Sequence, residues 1–296
     1  MIPVIEGLRS HPALEVTQQG DWSDYDQIPR MQVKRGETLS GAALDFGHVD
    51  AVRDSFPMFQ QAASAAGRGD LAFQEGVPGA FDVAMFALGP RAGLKNRRAF
   101  TEATLGEIRD VSRITGPNTI FQIGVPAELV LLAKAPGLLR PALAKRLARN
   151  VAGIGGPGRR HPVCGAPVSG RHEQPGVGHH VDVGPLVLLT NEIVRQWPAG
   201  RSLDLVHAPF AAANVPATTD HAFYAPLATM KLPDTVRLAA GFAHEAQSLV
   251  EQRQIRTIID DLLGRQVEIA AACGLGRRTA EDGRAVLERT AELCTG

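Results

Sequence analysis

Residues 269–278 read IAAACGLGRR, an apolar strand that reaches Cys273 and stops at once on glycines and two arginines. A cysteine there has two readings. Free cysteine is among the most buried residue types and packs like a small hydrophobe. The carboxyl end of a strand in a βα fold is also where metal ligands and nucleophiles are placed. Two histidines share that position: LVHAPF places His207, and GFAH places His244, at or just past the end of an apolar run. A further cluster lies in RHPVCGAPVSGRHEQPGVGHH, which holds His161, Cys164, His172, Glu173, His179 and His180. Neutral imidazole and thiolate together suit Zn²⁺. Taken singly, a histidine after a strand is also an ordinary hydrogen-bonded structural residue, and the 179–180 doublet in its glycine-rich setting reads as solvent-exposed. The nucleophile elbow GxSxG, the P-loop, HExxH and CxxC do not occur in the sequence, so the chemistry rests on whether these scattered side chains meet.

The elements that would bring them together follow from a weak internal repeat. FQEGVP starts at Phe73 and FQIGVP at Phe121. Each is a β-prone run closed by Gly-Val-Pro and followed by an alanine- and leucine-rich helical stretch, with proline suited to the first helical turn. Between them, FTEATLGEIRDVSRITG places Leu105, Ile108 and Val111 on one helical face and ends at Gly116-Pro117. Later strands are expected at 203–206, 235–242 and VEIAAACG. A helix carries Leu249, Ile255, Ile259 and Leu262 to a stop at Gly264. A last helix opens on Thr279 with Asp282, a pattern like a capping box, and buries Val286, Leu287 and Leu293 with Cys294 packed beside them. Alternating strands and helices argue for a parallel sheet, and βα units of this length in a chain of 296 residues favour an α/β (β/α)₈ TIM barrel of closed parallel strands as a single domain. An open doubly wound sheet is the alternative. Residues 1–34 form an irregular N-terminal segment, and QGDWSDYDQIPRMQ is not forced into strands. Residues 150–167, NVAGIGGPGRRHPVCGAP, read as a glycine-rich connection whose GIGGPG follows a helix and so is no dinucleotide fingerprint.

Composition narrows the partners. Lysine plus arginine and aspartate plus glutamate both total 31, so no global field favours nucleic acid or an anionic membrane. The basic stretch at Lys145, Arg146, Arg149, Arg159 and Arg160 reads as a solvated face, with phosphate or polyanion binding as the alternative. Three cysteines make no disulfide framework, which points to a reducing compartment. MIPVIEGLRSHPALEV lacks the pattern of a signal peptide, and no stretch has the length of a transmembrane helix. A cytoplasmic protein with neither a nucleic-acid nor a membrane partner is expected, with a homodimer as its candidate assembly.

CGLGRR resembles the cysteine-glycine motif of cobalamin-independent methionine synthase catalytic domains, and resembles more closely their short single-domain relatives in the methionine synthase/uroporphyrinogen decarboxylase-like barrel superfamily. LDLVHAPF and DHAFYAPLATM match a paired segment of those relatives, FQEGVP and FQIGVP resemble their two Gln-bearing strands, and RGETLSG (35–41) is similar to their Gly-Glu-Thr segment. The resemblance spans roughly residues 35–290. It implies a barrel with zinc at its C-terminal mouth, held at Cys273, at His161 and Cys164 in place of an H-x-C motif, and at His207 in the position of a glutamate. Here the motif is one residue longer, His161-Pro-Val-Cys164. It implies Gln74, Gln122, Glu37 and Arg278 as substrate-binding residues. Tyr224 and Arg277 are placed at the mouth, with His244 as a general acid or base. Arg277 or Arg278 would hold a substrate carboxylate by a bidentate pair, or would form a surface ion pair.

The leading expectation is thus a zinc-dependent alkyl transferase, including methyl transfer, that acts on a small-molecule thiol and an alkyl donor. The rivals are a metal-free lyase or decarboxylase in the same mouth and a non-catalytic ligand-binding barrel.

Overall fold

Period-2 burial in the FQ-x-GVP copies builds the first parallel strand pair. The computed structural model of the chain describes residues 2–20, 27–154, 163–166, 182–212, 215–271 and 278–295. His161, His172, Glu173, His179, His180, Cys273 and Arg277 lie outside the described residues. The chain divides into two compact units.

The first unit comprises residues 1–127, 150–162 and 200–202. Helix α1 (Ile2–Arg9) leads into an antiparallel ribbon of β1 (Leu14–Gln18) and β2 (Arg30–Val33). The end of QGDWSDYDQIPRMQ, left without strands on sequence grounds, therefore enters β2. Its short alternation, with Met31 buried between exposed neighbours, was masked by the polar residues before it. Helix α2 (His48–Ala65) is followed by β3 (Phe73–Pro78), helix α3 (Ala80–Thr115) and β4 (Thr119–Gly124). Strands β3 and β4 are parallel, with Phe73 opposite Thr119 and Glu75 opposite Phe121. The two copies are therefore offset by two residues. Phe73 packs edge-on to Phe56 and Phe59 of α2. In the first copy the proline does not open the helix: Pro78 ends β3 and Gly79 caps α3, whereas Pro126 does begin the next helix. Helix α3 bends at Gly89 (φ 75°) before Pro90, a conformation that glycine adopts without Cβ cost.

The second unit comprises residues 128–149, 163–199 and 203–296. It contains most of α4 (Pro126–Lys134) and of α5 (Arg140–Ile154), then β5 (Val163–Ala166), α6 (Gly184–Gln196), β6 (Leu205–Pro209), α7 (His221–Tyr224), β7 (Arg237–Ala243), α8 (Leu249–Leu263), β8 (Glu268–Ala271) and α9 (Ala280–Cys294). Strands β5, β6, β7 and β8 run parallel in that order. The stretch 150–167 is thus not all connection, since α5 continues to Ile154 and Cys164 lies in β5. In β7, Leu238 to Ala243 are all buried, as expected of a parallel strand covered on both faces. Helix α8 starts on a capping box, with the Ser248 hydroxyl accepting from Glu251 N–H and the Glu251 carboxylate accepting from Ser248 N–H, and stops at Gly264 (φ 65°). Thr279 caps α9 by accepting from Asp282 N–H. On α9 Val286 and Leu293 are buried, but Leu287 is 58% exposed and the Cys294 thiol is exposed. The expected burial of both fails because each is one position off the Val286–Leu293 stripe.

The fold is α/β with parallel strands joined by helices. Closure into an eight-stranded cylinder is not seen among the described residues. Two of the eight strands, β1 and β2, pair with each other in an antiparallel ribbon, which needs no crossover helix.

Candidate active site

In the second unit His207 lies within β6 and His244 just after β7. His207 is the third residue of β6, and its Nε2 lies 2.9 Å from the carbonyl oxygen of Ala271, the last residue of β8. A carbonyl only accepts, so Nε2 carries the proton and Nδ1 bears the lone pair of the neutral ring. Burial holds the His207 pKa below the ordinary histidine value, and the Ala271 carbonyl opposes this only in part. The ring is therefore neutral at neutral pH.

His244 directly follows β7. Gln252 on α8 is fully buried and continues the strand's hydrogen bonding with its side chain. Its Oε1 accepts from His244 N–H at 3.1 Å, and its Nε2 donates to His244 O at 2.9 Å and to Gln247 O at 2.8 Å. Gln247 Nε2 in turn donates to Ala217 O at 2.8 Å. His244 Nδ1 accepts from Ala246 N–H at 3.1 Å and lies 3.4 Å from Glu245 Oε2, so the orientation of this ring is held as well. The neighbouring Glu245 carboxylate accepts from Arg278 Nε, which lies 3.1 Å from each of its oxygens. The Arg278 side chain is 2% exposed. The guanidinium expected to hold a substrate carboxylate thus holds one from the protein itself. Tyr224 is buried, its ring edge-on to Phe210 and Phe223 and its hydroxyl donating to Thr218 O at 2.7 Å.

The backbone of β5 places Cys164 opposite Leu205, two residues before His207 on β6. Among the described residues no group of three or more His, Cys, Asp or Glu could hold a metal. Of the expected ligands, His161 and Cys273 lie outside those residues. His207 itself fits a metal: ligating imidazoles commonly donate their other N–H to a backbone carbonyl, which fixes the ring and the donor nitrogen.

In the first unit, Gln74 and Gln122 do meet. Their positions are diagonal across β3 and β4, and Gln74 Nε2 donates to Gln122 Oε1 at 2.6 Å. Glu37 is exposed in the turn after β2. A cluster there was not visible in the sequence. His48 Nδ1 lies 3.0 Å from Glu75 Oε1 on β3. Glu107 on α3 accepts from the backbone N–H of Phe46 at 2.5 Å and of His48 at 3.0 Å. Burial pushes the Glu107 pKa up, against those two hydrogen bonds and the nearby His48. These groups are 27 to 61 residues apart, and no local motif announces them. Glu245 and Gln252 had a weaker signal, one adjacent to His244 and the other a polar residue within the helical stripe of α8.

No family model matches the sequence, and no curated protein matches it. Among solved structures, the chain is similar to a B12-independent methionine synthase from Shewanella sp. W3-18-1, a structure in complex with selenomethionine. The TM-score is 0.54 at 11% identity, covering 96% of this chain and 76% of that one. At that identity the likeness is one of fold. No helix among the described residues is long and apolar enough to cross a membrane.

Proposed function

We propose that this chain is an enzyme, a zinc-dependent alkyl transferase, including methyl transfer, that activates a small thiol at the carboxyl ends of the barrel-type strands β5 to β8. The observation that carries the reading is His207: an imidazole held by its Nε2–H to the end of β8 and disfavoured from protonation by burial. The fold shared with a methionine synthase supports the reaction class. The proposed ligands are His207, Cys273 and Cys164. Cys273 is two residues past Ala271, a span of about 7 Å of chain at most. Cys164 starts from the register position beside Leu205. Zinc held by thiolate and imidazole supplies acidification of a bound thiol at neutral pH, provided one coordination position stays open. The chain does the rest. Burial keeps His207 unprotonated, and Gln252 and the Arg278–Glu245 pair hold His244 and its loop in place. His244 is the proposed proton carrier.

The metal-free lyase reading needed an arginine for the substrate carboxylate. Of its two candidates, Arg278 is engaged by Glu245, and Arg277 lies outside the described residues.

The test is alkyl transfer to a panel of small thiols by the full chain, with and without chelator, and by Cys273→Ser. Loss of turnover on chelation, recovery with zinc and loss in Cys273→Ser are expected. Turnover indifferent to both contradicts the proposal.

A further inference from the structure

Between α4 and α5 the chain makes a short turn, Gly137–Leu139, whose two leucines face solvent: Leu138 is 97% exposed and Leu139 is 59% exposed. The turn is not loosely held. Arg140 Nε donates to Ala135 O and its Nη2 to Ala133 O, both at 3.0 Å, which fastens the end of α4 to the start of α5. The flanking helices bury one face, with Ala144, Leu147 and Ala148 inward on α5, and turn Lys145, Arg146 and Arg149 outward. Lys134 is exposed at the end of α4. From Lys134 to Arg149 the sequence carries no acidic residue, in a chain whose formal charge is zero. Among the described residues, none of Lys134, Lys145, Arg146 and Arg149 forms an ion pair. Glu192 of α6 is held by Arg195, with Lys145 adding a smaller attraction.

We infer that this tip is a peripheral docking surface for an anionic lipid bilayer, into which Leu138 and Leu139 insert while the basic face of α5 meets the headgroups. An apolar tip beside exposed cations is the arrangement that binds anionic interfaces. A second copy of this chain suits it poorly, since a two-fold contact would set one basic face against another. Single-stranded nucleic acid suits it poorly as well, because residues 126–149 hold no aromatic side chain for base stacking. The sequence-based expectation of a solvated basic face with no membrane partner took no account of the leucine pair, whose exposure only the fold reveals.

The experiment is co-sedimentation of the full chain with vesicles of phosphatidylcholine alone, and of phosphatidylcholine mixed with phosphatidylserine, at low and high salt. Binding to the phosphatidylserine vesicles only, weakened by salt, is expected. Each of Lys145→Glu and Arg146→Glu lowers partitioning by roughly fivefold or more. Leu138→Ser/Leu139→Ser lowers it by roughly tenfold or more. All of these positions are exposed, and circular dichroism melts of each variant are the control for folding. Equal binding to both vesicle types, or none to either, overturns the inference. So does self-association that the leucine variant abolishes, or tighter binding to a single-stranded oligonucleotide than to the vesicles.

Discussion

The Nε2 of His207 on β6 lies 2.9 Å from the carbonyl oxygen of Ala271 at the end of β8, across the intervening strand β7. One hydrogen bond therefore sets the tautomer of the imidazole and ties it to the segment that carries Cys273. The following consequences can be measured.

His207 gives stability a pH dependence of known sign. Its folded pKa lies below the unfolded value, so the unfolded chain takes up the proton first. The contribution is full above the unfolded pKa of about 6.5, and it is lost as pH falls from there toward the folded pKa. Urea titrations of wild type and His207→Gln at pH 8 and pH 5 should show the wild type losing more stability between the two. Parallel losses would remove the buried, neutral imidazole from the account.

Gln252 stands in for a neighbouring strand at His244. Gln252→Ala leaves the buried N–H and C=O of His244 without that partner and opens a cavity, at a cost of about 2–4 kcal/mol. Gln252→Ala that is as stable as wild type in urea would show that the strand end is supported otherwise.

Arg278 is argued to be a positioning residue. Arg278→Met strands the Glu245 carboxylate in a largely buried place and should destabilise by roughly 3–5 kcal/mol, whereas Arg278→Met/Glu245→Met should recover much of that. A substrate clamp would behave differently: KM would rise in the single variant, stability would hold, and the second substitution would rescue nothing.

Glu107 titrates in the opposite sense to His207. Its folded pKa is raised by burial, so its contribution is fully present below the unfolded carboxylate pKa and is lost as pH rises through the folded value. The stability of Glu107→Gln relative to wild type should therefore improve between pH 4 and pH 7. A difference that stays flat across that range would mean that the carboxyl is not penalised by its surroundings.

Strand and helix order was legible wherever local pattern determines structure. The strands near 205–209, 237–243 and 268–271, the stop at Gly264 and the cap at Thr279 all follow from alternation, helical period and capping chemistry. The N-terminal ribbon was not, because β2 exposes most of its few residues and offers one buried position. Leu287 and Cys294 were misplaced by a single helical step. At the site, the position of His244 just past its strand was readable; His207, expected at the end of its strand, lies in the middle of β6, and the partners of Arg278 and Tyr224 were not readable. A guanidinium that binds a substrate and one that binds Glu245 have the same sequence signature, and only the packing around residue 278 separates them.

Anomalous diffraction at the zinc edge, from crystals of chain purified without chelator, bears most directly on the central claim. The account predicts one peak per chain within bonding distance, about 2.0–2.3 Å, of His207 Nδ1 and the Cys273 sulfur. A zinc-edge map with no peak within about twice that distance of either atom would contradict it.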